Sequence, residues 1–498
     1  MSEQLNNREQ KIDEKWYQKL EQFPSTELFA WFGLNKNDSE NSKQRKELKE
    51  NFLKAIESQN ESFFESDKFK ITYPFIESKD KSFFTDNIKL LEELKKEINL
   101  NETNDSIKKL YIFKIDQKIN EFNALLAIKN HDQKKFSEYS EKIYGSPNKS
   151  FFDQARNELL KNIAPYLGSS NNQIKTIAQQ LTENLEKNLN KEDVFQIPDF
   201  VFEVKDLANI SKKTAEYVSF SSANLGFLNA KEIFKAGAAK SIFNQELKKL
   251  GAINDTPNSW QVEINEGVQS FSVNQKDRVV TLPASIFMNY KEITSLAEHE
   301  INTHVKRGFQ GENSILKLLR LGLSSRGGRD AYERSEEGIA VYNEQKVTGS
   351  KTIRGLNYIA VSFAKGLDGE PKNFKQVFEI LKNAYFFDSI KNINIESKDS
   401  QEQKEIINSN LKKAENSAYE FAYRTFRGTD FNNKQGYCFT KDIVYREGSI
   451  GIWQLIERQK NIKSPNQLKE FIRTFTLGKW DPTNSDQYYL LSELNVIK

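Results

Sequence analysis

His299 and His304 are two of the three histidines in 498 residues, and Glu300 stands directly after the first of them, in the stretch ITSLAEHEINTHVKRGF from Ile293 to Phe309. Neutral imidazoles bring nitrogen lone pairs to a zinc ion without adding charge, and a carboxylate beside the metal can take a proton from the water it activates. Ile293, Leu296, Ala297, Ile301 and Val305 recur at helical spacing, so the stretch reads as one helix carrying a metal site. The histidines are five apart rather than four. At about 100° per residue, a spacing of four leaves two side chains about 40° apart around an α-helix, and a spacing of five leaves them about 140° apart, too far to share one ion. One residue inserted as a π-bulge would bring them back together, so the spacing predicts a π-like distortion between His299 and His304. The bland alternative, polar residues on a half-buried helix, is weakened by how scarce histidine is elsewhere in the chain.

Downstream, in RDAYERSEEGIAVYNEQ, the run Glu337-Gly338-Ile339-Ala340-Val341-Tyr342-Asn343-Glu344 resembles the second helix of gluzincin metallopeptidases. There a glutamate followed by glycine, an apolar residue and alanine completes the zinc site, and a further glutamate follows seven residues on. The resemblance implies Glu337 as third ligand and Glu344 as a carboxylate supporting the ligands. Gly338, lacking a side chain, would permit close approach of another helix. Glu336 is the rival ligand, nearer the Ile339 and Ala340 face on a helical wheel. The two pieces together resemble a narrower family, which contains the animal microtubule-associated tyrosine carboxypeptidase and bacterial proteins named for a Gln-Glu-Gly-Leu-Ala motif, and whose members carry His-Glu-x-x-x-His. This chain reads Glu336-Glu337-Gly338-Ile339-Ala340, departing at the first and fourth positions. Tyr144-Gly145-Ser146-Pro147, the strand from Arg278 to Pro283 with its following helix, Arg427-Gly428 and Cys438-Phe439-Thr440-Lys441-Asp442 extend the resemblance over most of the chain from about residue 60.

What the resemblance implies is a zinc carboxypeptidase in which His299, His304 and Glu337 hold the ion and leave one position for water. Glu300 would take that water's proton and return it to the leaving amine. Removal of a C-terminal tyrosine from tubulin is one activity of the family, and a cell without tubulin would need another substrate. An exopeptidase must recognise a free carboxylate, for which Arg307, Arg424, Arg427 and Lys441 are candidates, each equally readable as an ordinary ion pair. His131 reads as a helix-end or surface residue, so oxyanion stabilisation would fall to tyrosine, arginine or lysine, with Tyr437 and Tyr445 as the phenolic candidates. Two other classes remain open at this point: a non-catalytic helical regulator or scaffold with a structural metal, which would not require Glu300, and a zinc hydrolase acting on a non-peptide bond.

Charge is nearly balanced, 73 basic against 70 acidic residues for a formal +3, which argues against a dedicated nucleic-acid binder. The one cysteine, Cys438, excludes an internal disulfide framework, fits a reducing compartment and reads as a small buried side chain. The N-terminus lacks the apolar core of a signal peptide and no stretch approaches 18 apolar residues, so the expectation is a soluble, cytoplasmic protein without a membrane partner.

Around the motifs the chain reads as α+β and predominantly helical: a zincin-like catalytic domain with a small antiparallel sheet, preceded by a helical N-terminal region. The expected divisions are a helical extension over 1–60, docked through Trp16, Leu20, Phe23, Leu28, Phe29 and Trp31, a helical region over 61–194, and the catalytic domain over 195–498. Composition makes 35–46 a loop, and Tyr73-Pro74-Phe75 should be extended. Two helices over 84–130 should break near 99–105, and Gly251 should close a helix. Phe200 to Val204 opens a mixed region. Period-two patterns at Trp260–Ile264, Ser270–Val273 and Arg278–Leu282 predict antiparallel strands whose free edge could pair with an extended peptide. Gly322 to Arg329 reads as a glycine-rich connection able to approach the cleft.

Overall fold

The computed structural model describes residues 11–32, 39–191, 193–198, 233–253, 259–266, 268, 271–330, 332–353 and 355–497. The segment Phe200 to Val204, Gly267, Ser270 and the side chain of Phe29 lie outside them. Helix accounts for 66% of the structure and the strands are short, which makes the class α+β with helix dominant. The longer helices of the N-terminal part are α1 (Glu14–Glu21), α2 (Ser39–Glu57), α3 (Lys81–Asn101), α4 (Asp105–Lys129), α5 (Gln133–Tyr144), α6 (Lys149–Ile163) and α7 (Asn172–Glu186). After them come β1 (Ile233–Lys235), α8 (Ala236–Lys249), β2 (Gln261–Asn265), β3 (Ser272–Asn274), β4 (Val279–Pro283) and β5 (Phe287–Asn289). Then follow α9 (Tyr290–His299), a π-helical segment (Glu300–Val305) and α10 (Lys306–Asn313). The hairpin β6 (Ser324–Ser325) and β7 (Arg329–Asp330) leads to α11 (Tyr332–Thr348), α12 (Leu356–Lys365), α13 (Phe374–Ile390), α14 (Ser400–Phe426), α15 (Ile443–Lys460), α16 (Pro465–Thr474) and α17 (Ser485–Glu493). No helix among the described residues is long and apolar enough to cross a membrane.

Much of the chain follows the sequence pattern. The break between α3 and α4 falls at residues 102–104, where Asn104 caps α4 by accepting from the backbone of Ser106 and Ile107. Trp16, Leu20, Leu28 and Trp31 are buried against α3 and α4, and α8 stops at Lys249, with Leu250 as its cap and Gly251 just after it at a positive φ of 73°. Three expectations need correction. Of the expected loop at 35–46, residues 35–38 lie outside the described ones and 39–46 are helix: they open α2, which is anchored by Leu48, Phe52 and Ala55, while Arg45 pairs with Glu420 and lies over the Tyr423 ring. Pro74 opens a one-turn helix, Pro74–Glu77, because a first helical position needs no N–H. The sheet has the order β2-β4-β3, in which β3 is antiparallel to β4 but β2 is parallel to it. The chain reverses once between β2 and β3 and again at the turn into β4, so β2 and β4 run the same way.

The metal-motif helices are set by two apolar clusters. Val262, Val280 and Leu282 of the sheet pack with Phe243 and Leu247 of α8 and with Ile293, Ala297, Ile301 and Val305, the apolar stripe along α9 and the π segment. On the other side, Ile339 and Tyr342 of α11 pack with Ile450, Ile452 and Trp453 of α15. Residues on both sides of position 195 share the two remaining clusters, in which α3 to α5 meet Leu316 to Leu323 and Trp480, and α2, α6 and α7 meet α12 to α14. Asn289 starts α9 with a capping box, its side chain accepting from the Glu292 N–H while the Glu292 carboxylate accepts from the Asn289 N–H.

The α11–α15 crossing is as close as backbones allow. A Cβ on Gly338 would lie 2.3 Å from the Gly448 carbonyl oxygen, and one on Gly448 would lie 1.8 Å from that of Arg334. Backbone cannot step aside as a side-chain tip can, so Gly448→Ala should destabilise by about 1–3 kcal/mol or more. Gly237→Ala on α8, with no atom within 4 Å of the new Cβ, should be neutral or slightly stabilising. Thermal unfolding of the two variants checks this: equal midpoints would contradict the close-crossing account.

Candidate metal centre

The five-residue spacing is accommodated by the π-helical turn over Glu300–Val305. Thr303 is fully buried, and its hydroxyl donates to the Glu298 carbonyl, five residues back, at 2.9 Å. Asn343 of α11 donates to the same hydroxyl oxygen at 2.9 Å, which ties the distorted turn to the second helix. The His304 carbonyl accepts from the Gln275 side chain at 2.7 Å, in the turn between β3 and β4. With the extra residue taken up, the two imidazole centroids stand 5.0 Å apart with 64° between the ring planes.

Glu337 meets them from α11. Its Oε2 is 3.9 Å from His299 Nε2, and one donor atom from each of His299, His304 and Glu337 lies within 4.8 Å of the other two. Behind these three, carboxylates hold the far sides of the rings. His304 Nδ1 shares a 2.9 Å hydrogen bond with Glu336 Oε1. Glu344 Oε1 stands 2.7 Å from His299 Nδ1, in contact but out of line for a full hydrogen bond. The geometry thus separates the neighbouring glutamates: Glu337 faces the histidine pair's donor atoms, and Glu336 backs one ring. Two imidazoles and a carboxylate are a donor set that zinc takes, and a carboxylate on the other ring nitrogen is the usual support of a metal-bound imidazole. The residues present fit zinc.

Charge is concentrated here. Burial alone would lower the His304 pKa, but the Glu336 hydrogen bond and the charges of Glu337, Glu336 and Glu300 outweigh it and raise it to about 9. Burial likewise works against ionised Glu336, yet Lys479, the His304 hydrogen bond and Arg307 bring that carboxyl down to about 2. His304 thus holds its proton more tightly than a free imidazole does, and a metal ion bound through it would have to displace that proton. Glu300, partly exposed at the start of the π segment, is close enough for its charge to act on His304.

The substrate-binding candidates divide. Tyr445, on the first turn of α15, is half-buried; burial foremost and then the Glu337 carboxylate push its phenol up to about 12, so it remains an O–H donor near the cluster. Arg424 donates to Asp442 at 2.7 Å and to the Tyr445 oxygen at 3.3 Å. Lys441 pairs with Glu333 at 2.8 Å, and its charge also reaches Tyr445. Arg307 and Arg427 need correction as carboxylate binders. Arg307 is fully buried and donates to the Gly478 carbonyl at 3.0 Å and to that of Trp480, while Arg427, 3% exposed, lies 5.2 Å from the Tyr423 ring centroid. Tyr437 belongs to a separate open cleft of about 770 Å³, where His131, Asp132 and Asp430 also sit and none of the three clustered donors does. Cys438 is buried, its thiol pushed up to about 12 by burial. The glycine-rich connection forms the β6–β7 hairpin, with Gly328 packed on the α4 backbone at Asp116 and Gln117.

The hydrogen bonds of Thr303, and Asn343, Gln275 and the Gly478–Trp480 loop altogether, escaped the sequence reading, which took Thr303 only as a β-branched residue that weakens a regular helix. Thr303 stood inside the motif gap, where a hydroxyl able to reach back along a π turn was the available signal; nothing local marks the others.

A family model described as microtubule-associated tyrosine carboxypeptidase matches residues 161–391, somewhat less than half of the chain. The matched span holds His299, Glu300, His304, Glu337 and Glu344 and ends before Arg424, Lys441 and Tyr445. Comparison with curated proteins and with solved structures gives no match.

Proposed function

We propose that the chain is a zinc-dependent peptidase that removes a residue from the C-terminus of a protein or peptide. The observation that carries this reading is the convergence of His299, His304 and Glu337, each histidine backed by a carboxylate, with Glu300 beside them. The description of the matching family model supports a carboxypeptidase and suggests tyrosine as the residue removed, with tubulin as the first protein to test where the cell contains it. The same reading puts its action in the cytoplasm.

His299, His304 and Glu337 would hold the zinc ion, which when bound would supply Lewis acidity toward the scissile carbonyl and water. The chain's own residues do the rest. Glu300 takes a proton from the attacking water and hands it to the leaving amine. Tyr445 donates its phenolic proton in a hydrogen bond to the carbonyl oxygen as negative charge develops on it, and Arg424, donating to the phenol oxygen, keeps that ring in place. Arg424 and Lys441, the basic candidates that stay partly exposed, are the cations for the free terminal carboxylate.

Glu300→Gln should keep its zinc and lose about 10²–10⁴-fold in turnover of a peptide with a free C-terminus, since the amide cannot accept the proton. Metal analysis and mass-spectrometric trimming of a peptide library read the two halves, and full activity would sink the assigned base. Tyr445→Phe should lower kcat about 10²–10³-fold with little change in KM. A rise in KM alone would make Tyr445 a binding residue.

A further inference from the structure

We infer that the loop from Gly478 to Trp480, which joins α16 to α17, is a built part of the metal centre and governs how tightly the ion is held, acting through Arg307 and Glu336 on His304. The inference rests on the zinc reading above, and the loop it concerns lies more than a hundred positions beyond the histidines and outside the span matched by the family model.

The links join the half-buried His304 to groups that are buried. Glu336 Oε1 bonds His304 Nδ1 at 2.9 Å, and its Oε2 stands 3.5 Å from Arg307 Nη1, an ion pair without a hydrogen bond. Arg307 is fully buried one turn beyond His304, and its remaining donors reach the loop: Nε donates to the Gly478 carbonyl at 3.0 Å and Nη2 to the Trp480 carbonyl. Ser335, next to Glu336, donates to the same Trp480 carbonyl at 3.2 Å. The loop is itself fixed. Lys479 N–H donates to the Leu319 carbonyl at 2.9 Å, its own carbonyl accepts from Leu323 at 2.8 Å, and the fully buried Trp480 indole donates to the Thr474 carbonyl at 3.0 Å. Gly478 has room for no side chain, since a Cβ would meet Leu319 at 2.7 Å.

A planar guanidinium can donate to two carbonyls from separate nitrogens while a third faces a carboxylate, a spread that the single ammonium of a lysine lacks. Through that fork the loop sets where Arg307 lies, the Arg307 charge steadies the Glu336 carboxylate, and Glu336 fixes the ring orientation in which His304 presents its other nitrogen. Arg307 is therefore a positioning residue, two links from the ion.

The test is the Zn²⁺ dissociation constant of the full chain, measured by competition with a chromophoric chelator, for wild type, Arg307→Gln, Glu336→Gln and the double variant. Each single change should weaken Zn²⁺ binding about tenfold to hundredfold. The double variant should be little weaker than either single one, because Arg307 acts through Glu336. If Arg307→Gln does not fold, Arg307→Lys keeps the buried charge, loses one carbonyl bond and should weaken binding several-fold. Unchanged affinity in a folded Arg307 variant, or losses that simply add, would overturn the inference and leave the zinc reading standing. Absence of Zn²⁺ binding by the wild type would overturn both. Weakened Zn²⁺ binding in a protein that trims no peptide would uphold the inference and sink the peptidase reading.

Discussion

Everything at the candidate site depends on one extra residue in one helical turn. In a regular α-helix His299 and His304 would point to different sides; in the π turn their rings stand within reach of a common ion. Such a turn gives up regular hydrogen bonding, and the fold compensates with side chains. Thr303 serves the Glu298 carbonyl, Gln275 serves the His304 carbonyl, and Asn343 holds Thr303 from the neighbouring helix. The apolar stripe of α9 continues through the distortion to Ile301 and Val305, so burial against the sheet holds the segment in place while its other side carries the polar groups.

The second constraint is distance between helices. Glu337 reaches the histidines because α11 is packed on α9, and α11 is in turn held by α15 across the Gly338–Gly448 contact. That contact brings the start of α15, with Tyr445, toward the same cleft. Burying Glu336, Arg307 and His304 together would be costly for any one of them alone. As a group they compensate one another, with Lys479 adding positive charge from the loop. The centre is thus already ordered by ion pairs, and a metal ion bound there would take the place of the His304 proton.

How much of this the sequence carried can be argued residue by residue. The π turn was legible because a five-residue spacing has a single geometric remedy, and Gly338 was legible because a helical glycine beside a candidate ligand has few other uses. The helical wheel put Glu336 nearer the Ile339 and Ala340 face and only the motif pointed to Glu337; the position of α11 against the π segment is what brings Glu337 to the histidines' donor atoms and Glu336 behind one ring. The direction of β2 depended on which strand takes the centre of the sheet, a matter of long-range packing. The polar run at 39–46 failed as a loop because composition does not distinguish a solvated helix face from a connection. Arg307 looked like a substrate ligand because it stands near the histidines in sequence, but helical rotation carries it to the buried side, where the carbonyls of a distant loop await it.

The measurement that tests the account most directly is elemental analysis of bound metal in the purified wild type and in His304→Ala. The account predicts about one zinc per chain in the first and little in the second, because two ligands cannot hold the ion as three do. No zinc in the wild type after zinc is supplied, or as much zinc in the variant as in the wild type, would contradict it.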